Sequence, residues 1–267
     1  GLVPTTESAD GSAFVEAAGE AVSRYLDLDR VLAVARVSSG EWRVASEENN
    51  VLATCHSSLA TLAVARDEAF HFIYEENLEM LQVAGARLAF FSPLRDAELP
   101  EGATGVILSG GFPEIHAARL AANLSMKQAL RDAHERGLPI YAECGGLMYL
   151  TQSIVDLEGR AHGMAGLLPG SSVMSKRLTL GYRQARAVGS SWLFAGGETV
   201  RGHEFHYSQW VGRPADLPPA YMLLPSNGAG EPWVDGACVG NLWVSYVHLN
   251  FWAKPALAQR FVAACRG

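Results

Sequence analysis

Between Leu138 and Leu150 the chain reads Leu-Pro-Ile-Tyr-Ala-Glu-Cys-Gly-Gly-Leu-Met-Tyr-Leu, and no other stretch constrains the fold as much. Pro139 to Glu143 is short, holds the β-prone residues Ile140 and Tyr141, and follows Gly137, so it predicts a buried strand. Gly145 and Gly146 end that strand. Leu147, Met148 and Leu150 then resume an apolar pattern too tight for a second one. Cys144 is therefore expected where a strand turns sharply into a helix, the geometry of a nucleophile elbow. Such a turn projects the sulfur away from the backbone, and glycines beside it let a substrate come close. The free amides and dipole at the start of the following helix favour a thiolate. A lone cysteine is more commonly a buried structural residue, but paired glycines directly after it weigh against that reading here.

Upstream of the elbow, strand and helix signals alternate. Leu62-Ala63-Val64-Ala65 predicts a strand, Phe70 to Ala84 a helix ended by Gly85, and Leu88-Ala89-Phe90-Phe91 a second strand stopped by Pro93. Val106-Ile107-Leu108 predicts a third strand, running into Ser109-Gly110-Gly111-Phe112-Pro113-Glu114. A long helix follows to about Arg136, with Gly137 as its C-terminal cap. Strands joined by helices imply an α/β fold, a mostly parallel sheet with helices on both faces, whose sites lie at the carboxyl ends of the strands. Gly110-Gly111 and Cys144 both fall at such ends and are expected to face each other.

The flanks carry less. Ala13 to Leu26 has an apolar helical face, Leu32 to Val37 begins another short element, and residues 38 to about 58 are polar and weakly patterned, which suits a linker. This opening segment, residues 1–60, lacks the apolar surface for a core of its own and reads as the tail of a preceding domain. After Thr151 the helix signal fades into short β-prone runs, Arg177 to Leu180, Tyr221 to Leu224 and Leu242 to Val247, with His248 at the end of the last. A histidine there is as much a plain polar residue as a base for Cys144 until the fold shows the two together. Lys254-Pro255 opens a terminal helix, Ala256 to Ala264.

Charge and cysteine usage limit the partners. A formal net charge of -7 with scattered Arg and Lys argues against nucleic acid or an anionic membrane. No apolar run approaches the ~20 residues of a membrane-spanning helix. Cys55, Cys144, Cys238 and Cys265 lie far apart, without the close pairs of a metal site, and suit a reducing cytoplasm.

Several separated motifs now occur in one order: Gly110-Gly111-Phe112-Pro113-Glu114, Ala142-Glu143-Cys144-Gly145-Gly146, Arg201-Gly202-His203-Glu204-Phe205-His206-Tyr207 and Ser245-Tyr246-Val247-His248. Together they resemble the cobyrinate a,c-diamide synthases and the similar hydrogenobyrinate a,c-diamide synthases of cobalamin biosynthesis. The resemblance implies a class I glutamine amidotransferase domain over residues 61–267, preceded by the end of an amidoligase half. Family members hydrolyse L-glutamine and pass ammonia to that half, which uses ATP and magnesium to amidate the a and c side chains of the corrinoid. The glycine-rich phosphate loop of that half is nowhere in this chain, so no cofactor is expected here and ATP and Mg2+ belong to the missing portion. Carried over, the resemblance makes Cys144 the nucleophile and His248 the base, with Gly110, Gly111 and Gly145 around the oxyanion and glutamine. Ordinary class I glutaminases place a Glu two positions after the His, whereas this chain has Asn250 there. An amide cannot stabilise an imidazolium as a carboxylate does, so a Cys-His dyad is the description adopted.

Two features are weighed beside it. In an extended segment Glu204, His206 and Ser208 project to one face, as an interdomain or substrate contact or as a hydrogen-bonded pair under a loop. The spacing of His203 and His206 does not match the metalloprotease helix motif, and no metal is expected. Phe70, Phe72 and Tyr74 either border the glutamine pocket or pack the core. Other readings are a non-catalytic docking module of the same fold and a Cys-His hydrolase with another substrate.

Overall fold

The computed structural model describes residues 11–27, 29–30, 60–225 and 230–267. The expectations for Leu32 to Val37, for the linker over residues 38–58 and for Cys55 lie outside the described residues. The chain divides into two units, Gly1–His56 and Ser57–Gly267. In the first, helix α1 (Gly11–Tyr25) occupies the stretch where the apolar helical face is read, and Val15, Val22 and Tyr25 are exposed.

In the second unit the apolar runs form a six-stranded sheet. Its strands are β1 (Ala60–Ala65), β2 (Ala86–Phe91), β3 (Gly105–Leu108), β4 (Ile140–Glu143), β11 (Ala237–Val239) and β12 (Leu242–Ser245), in the order β11-β12-β4-β3-β1-β2. All its pairs are parallel except β11 with β12. Both faces of β1, β3, β4 and β12 are covered, which is why these strands read as continuous apolar runs and not as alternating ones, while the edge strand β2 is partly exposed. Ala63, Val106, Leu108, Ile140, Ala142 and Val244 face one core, where Leu120 of α3 (Ala117–Ala122), Met126 and Leu130 of α4 (Leu124–Glu135) and Leu147 of α5 (Gly145–Leu150) cover them. Their neighbours Leu62, Val64, Ile107, Tyr141 and Trp243 face the other, under Leu78 and Leu81 of α2 (Glu75–Val83) and Leu257 and Phe261 of α6 (Ala256–Ala264). No described helix is long and apolar enough to cross a membrane.

A second, seven-stranded sheet is built from β5 (Ser153–Val155), β6 (Ala161–Gly163), β7 (Ser171–Ala187), β8 (Thr199–Val211), β9 (Tyr221–Pro225), β10 (Trp233–Asp235) and β13 (His248–Leu249). The long β7 and β8 run antiparallel with a register shift between Met174 and Thr179. This sheet packs against the second core through Ala185, Tyr221 and Leu223.

Three sequence expectations are corrected. The predicted helix from Phe70 begins only at Glu75, because the Asp67 carboxylate accepts from the amides of Ala69 (2.8 Å) and Phe70 (3.1 Å), and the Phe72 amide donates to the Gly110 carbonyl (3.1 Å). The long helix to Arg136 is two helices broken at Asn123, whose side chain caps α4 through Met126 N and donates to the carbonyls of Pro93 and Asp96. The strand from Leu242 stops at Ser245 instead of continuing to Val247, since the buried Asp235 carboxylate accepts from Ser245 Oγ (2.5 Å) and the Tyr246 amide (3.1 Å). His248 thereby opens β13, paired with β8 opposite His203.

Candidate active site

The turn from β4 into α5 places Cys144 at φ 48°, ψ −102°, the single positive φ outside glycine among the described residues. A strained conformation of this kind persists only when its surroundings over-determine it. Here the Cys144 amide donates to the Ser245 carbonyl (2.8 Å) and its carbonyl accepts from Met148 N (3.0 Å), tying the residue to β12 and to α5. Gly146 brings α5 onto β3: a Cβ there would lie 2.2 Å from the Leu108 carbonyl oxygen.

The loop after β3 closes over the elbow. A Cβ on Gly145 would stand 3.1 Å from the Gly111 amide nitrogen, and one on Gly110 would stand 2.5 Å from His248 Cε1. Absent side chains therefore let the loop, the elbow and the imidazole meet. The Gly110-Gly111 loop thus lies against Gly145, the residue after Cys144, and against His248. Cys144 Sγ lies 3.7 Å from the Phe205 carbonyl oxygen of β8.

His248 is 3% exposed. Its ring is held edge-on to Phe72 (4.9 Å between centroids) and nearly parallel to His203 (5.0 Å, 19°). Burial opposes its charge, but the neighbouring Cys144 sulfur and the Glu143 carboxylate outweigh it and push the imidazole up to about 10. His203 moves the other way, held below its usual value by burial and by the charge of His248; Tyr74 Oη lies 3.2 Å from its Nδ1. His248, His203, Tyr74, Tyr182, Arg183 and Arg201 line a cleft of about 490 Å³.

The acid beside His248 Nδ1 is Glu143, with Oε2 at 3.5 Å. Glu143 Oε1 accepts from the Leu249 amide (2.9 Å) and from the Tyr141 hydroxyl. Asn250, two positions after the histidine, instead caps the short 3-10 turn Phe251–Ala253, its Oδ1 accepting from Trp252 N at 2.9 Å.

Glu204 and His206 do share a face of β8, and both are engaged. Glu204 accepts from Arg183 Nε (2.5 Å) and lies 3.5 Å from His206 Nε2; these partners hold its carboxyl below the ordinary value against the opposing effect of burial. His206 stacks on Tyr246 at 4.0 Å, and Ser208 Oγ donates to Tyr246 Oη (3.0 Å). The pair thus braces the Ser245–Val247 turn that delivers His248. Of the aromatic run, Phe70 packs in the core against Tyr149, while Phe72 and Tyr74 border the histidines.

A family model described as a CobB/CobQ-like glutamine amidotransferase domain matches residues 61–256. The chain belongs to that family. Among curated relatives, a cobyrinate a,c-diamide synthase of Dehalococcoides mccartyi is 41% identical over 273 residues, covering 100% of this chain and 58% of that protein. One of Salmonella typhimurium is 46% identical over 210 residues, covering 77% of this chain and 45% of that protein. The chain spans about half the length of the curated relatives it matches. The fold resembles that of PurLQS from Thermotoga maritima (TM-score 0.53, 16% identity, 77% of this chain and 97% of that one). It also resembles a crystal structure of a glutamine amidotransferase (TM-score 0.53, 17% identity, 76% and 98%).

In this amidotransferase domain sequence reasoning gave no role to Glu143, weighed Phe72 as a pocket border or core residue, and weighed His203 only against a metal motif. Strand alternation puts Tyr141 and Glu143 on one face of β4. That signal was available, but the arrival of β13 at that face was not.

Proposed function

We propose that this chain is the glutaminase part of a cobyrinate (or hydrogenobyrinate) a,c-diamide synthase, with Cys144 as nucleophile and His248 as its general base and acid. The observation that carries the reading is the meeting of three elements at one sulfur. The strained elbow presents Cys144, β13 delivers a buried imidazole beside it, and the Gly110-Gly111 loop lies over Gly145.

His248 holds the thiol proton as an imidazolium, and the sulfur attacks the carboxamide carbon of glutamine as its thiolate. The negative oxygen of the tetrahedral adduct is received by the amides of Gly111 and Gly145. The imidazolium returns its proton to the nitrogen, the C–N bond breaks, and ammonia leaves behind a γ-glutamyl thioester. Water, deprotonated by His248, then attacks the thioester carbon; glutamate departs and the thiol is restored.

Ammonia is of use only where a carboxylate has been activated. The curated relatives are nearly twice as long, and the portion they add is where this reading places the ATP- and magnesium-dependent amidoligase half that binds the corrinoid. Residues 1–60 belong, in this reading, to the end of that half, and the enzyme works in the cytoplasm. Glutamate release from L-glutamine by the purified chain tests the assignment. Cys144→Ala should abolish it while leaving the thermal transition in place; undiminished turnover in that variant would remove Cys144 from the mechanism.

A further inference from the structure

We propose that Glu143, the residue immediately before the nucleophile, is the positioning carboxylate of the His248 imidazole and takes the role left vacant at Asn250. The inference rests on the glutaminase reading for its kinetic consequence, though not for its geometry. Three observations support it.

First, His248 Nδ1 is fully buried and has no hydrogen-bond partner nearer than the Glu143 carboxylate, whose Oε2 is 3.5 Å away. Contacts in a resting site are commonly long and tighten when charge develops. Second, the carboxylate is not free to turn elsewhere. Oε1 is held by the Leu249 amide and the Tyr141 hydroxyl, one from the residue after the histidine and one from β4 itself, so Oε2 is the oxygen left for the ring. Third, the ring is not free either. Phe72 meets it edge-on, His203 lies parallel to it, and the bare Cα of Gly110 sits against Cε1. With Nδ1 committed to Glu143, Nε2 is the nitrogen available to the thiol.

The titratable groups facing His248 are Cys144 from the elbow, Glu143 from β4 and His203 from β8, with Tyr74 bonded to His203 and Tyr141 to Glu143. Glu143 is the carboxyl group among them, and its contact with Nδ1 does not involve the reacting sulfur. As a carboxylate it stabilises the imidazolium and fixes the tautomer without taking the proton. Asn250 offers neither service, its Oδ1 being spent on Trp252.

Glu143→Gln keeps an oxygen for Leu249 and Tyr141 and removes the charge. Expected for a folded variant are a kcat lower by roughly 10²–10⁴-fold with KM for glutamine little changed, and an imidazole titrating about 1–3 pH units below the wild type by NMR. Asn250→Ala should keep its kcat. A Gln variant with wild-type kcat and wild-type His248 titration overturns the proposal, as does an equal loss in Asn250→Ala with the His248 titration of Glu143→Gln unmoved. Should Glu143→Gln fail to fold, the wild-type protein decides. With Cys144 alkylated, neutral His248 should carry its proton on Nδ1, and a proton on Nε2 overturns the assignment. If neither the wild type nor Cys144→Ala turns over glutamine, the glutaminase reading falls, while the NMR measurements still decide the role of Glu143.

Discussion

A thiol reacts as its thiolate, so the groups around each sulfur decide which cysteine of this chain acts as a nucleophile. Burial pushes Cys265 up to about 12, and it raises Cys238 as well, whereas Cys144 lies against an imidazole that is charged over most of the accessible pH range. A glutamine-mimicking alkylator should therefore label Cys144 ahead of Cys238 and Cys265, as peptide mapping would read; equal labelling would remove the special environment claimed for Cys144. His248→Ala should lower turnover by roughly 10²–10⁴-fold. The same residue sets a pH dependence of stability. His248 rises from 6.5 to about 10 on folding, so the native state binds its proton more tightly than the unfolded chain does. Its contribution is complete below about 6.5 and is lost as pH rises through about 10. Thermal midpoints measured across that window should fall more steeply for the wild type than for His248→Gln, and parallel curves would contradict the coupling.

The elbow works because a short helix lies directly on a strand. Gly146 is in the first turn of α5 and faces the Leu108 carbonyl oxygen, a backbone atom that cannot swing aside as a flexible side chain can. Gly146→Ala should cost about 1–3 kcal/mol by overpacking, read as a lower denaturation midpoint with turnover reduced beyond the loss of folded protein. A neutral substitution would mean that α5 can slide on β3. Legibility in the sequence also varied by element. α6 is found over the residues expected, and β1 to β4 are found within two residues of their sequence signals, since apolar runs bounded by Gly and Pro leave little choice. The predicted helix starting at Phe70 and the unbroken helix to Arg136 failed where one polar side chain intervened. Asp67 and Asn123 bond to nearby backbone groups, and such local competition outweighs the periodicity of the surrounding residues.

At the scale of the whole second unit, an aromatic cluster packs between the two sheets. Trp243 of β12 is fully buried, stacked on Phe194 at 4.7 Å and edge-on to Tyr221 of β9 at 5.2 Å, with its Nε1 donating to Tyr221 Oη. Trp243→Ala should destabilise this unit by about 3–5 kcal/mol, measured by denaturant unfolding; a loss below 1 kcal/mol, well under that range, would show that the sheets are held together elsewhere. The proposed two-part enzyme has its own test. Assayed with corrinoid acid, ATP, magnesium and ammonia, this chain should form no amide, and adding the amidoligase portion of a relative should restore amidation. Product from this chain with ammonia would place a nucleotide site within it.

The sequence alone determined the α/β class, the parallel sheet, the family and the elbow, because each is written in residues adjacent in the chain: apolar runs, paired glycines, short ordered motifs. It also placed Cys144 and Gly110-Gly111 at strand ends, where parallel sheets put their sites. Only the tertiary structure decided what surrounds His248. Its partners Glu143, Phe72 and His203 stand 105, 176 and 45 positions away in the chain. They meet because Asp235 ends β12 at Ser245 and β13 pairs with β8. Strand pairing between distant segments depends on which backbone edges and buried faces remain free once the first sheet has formed, and no local residue pattern encodes that.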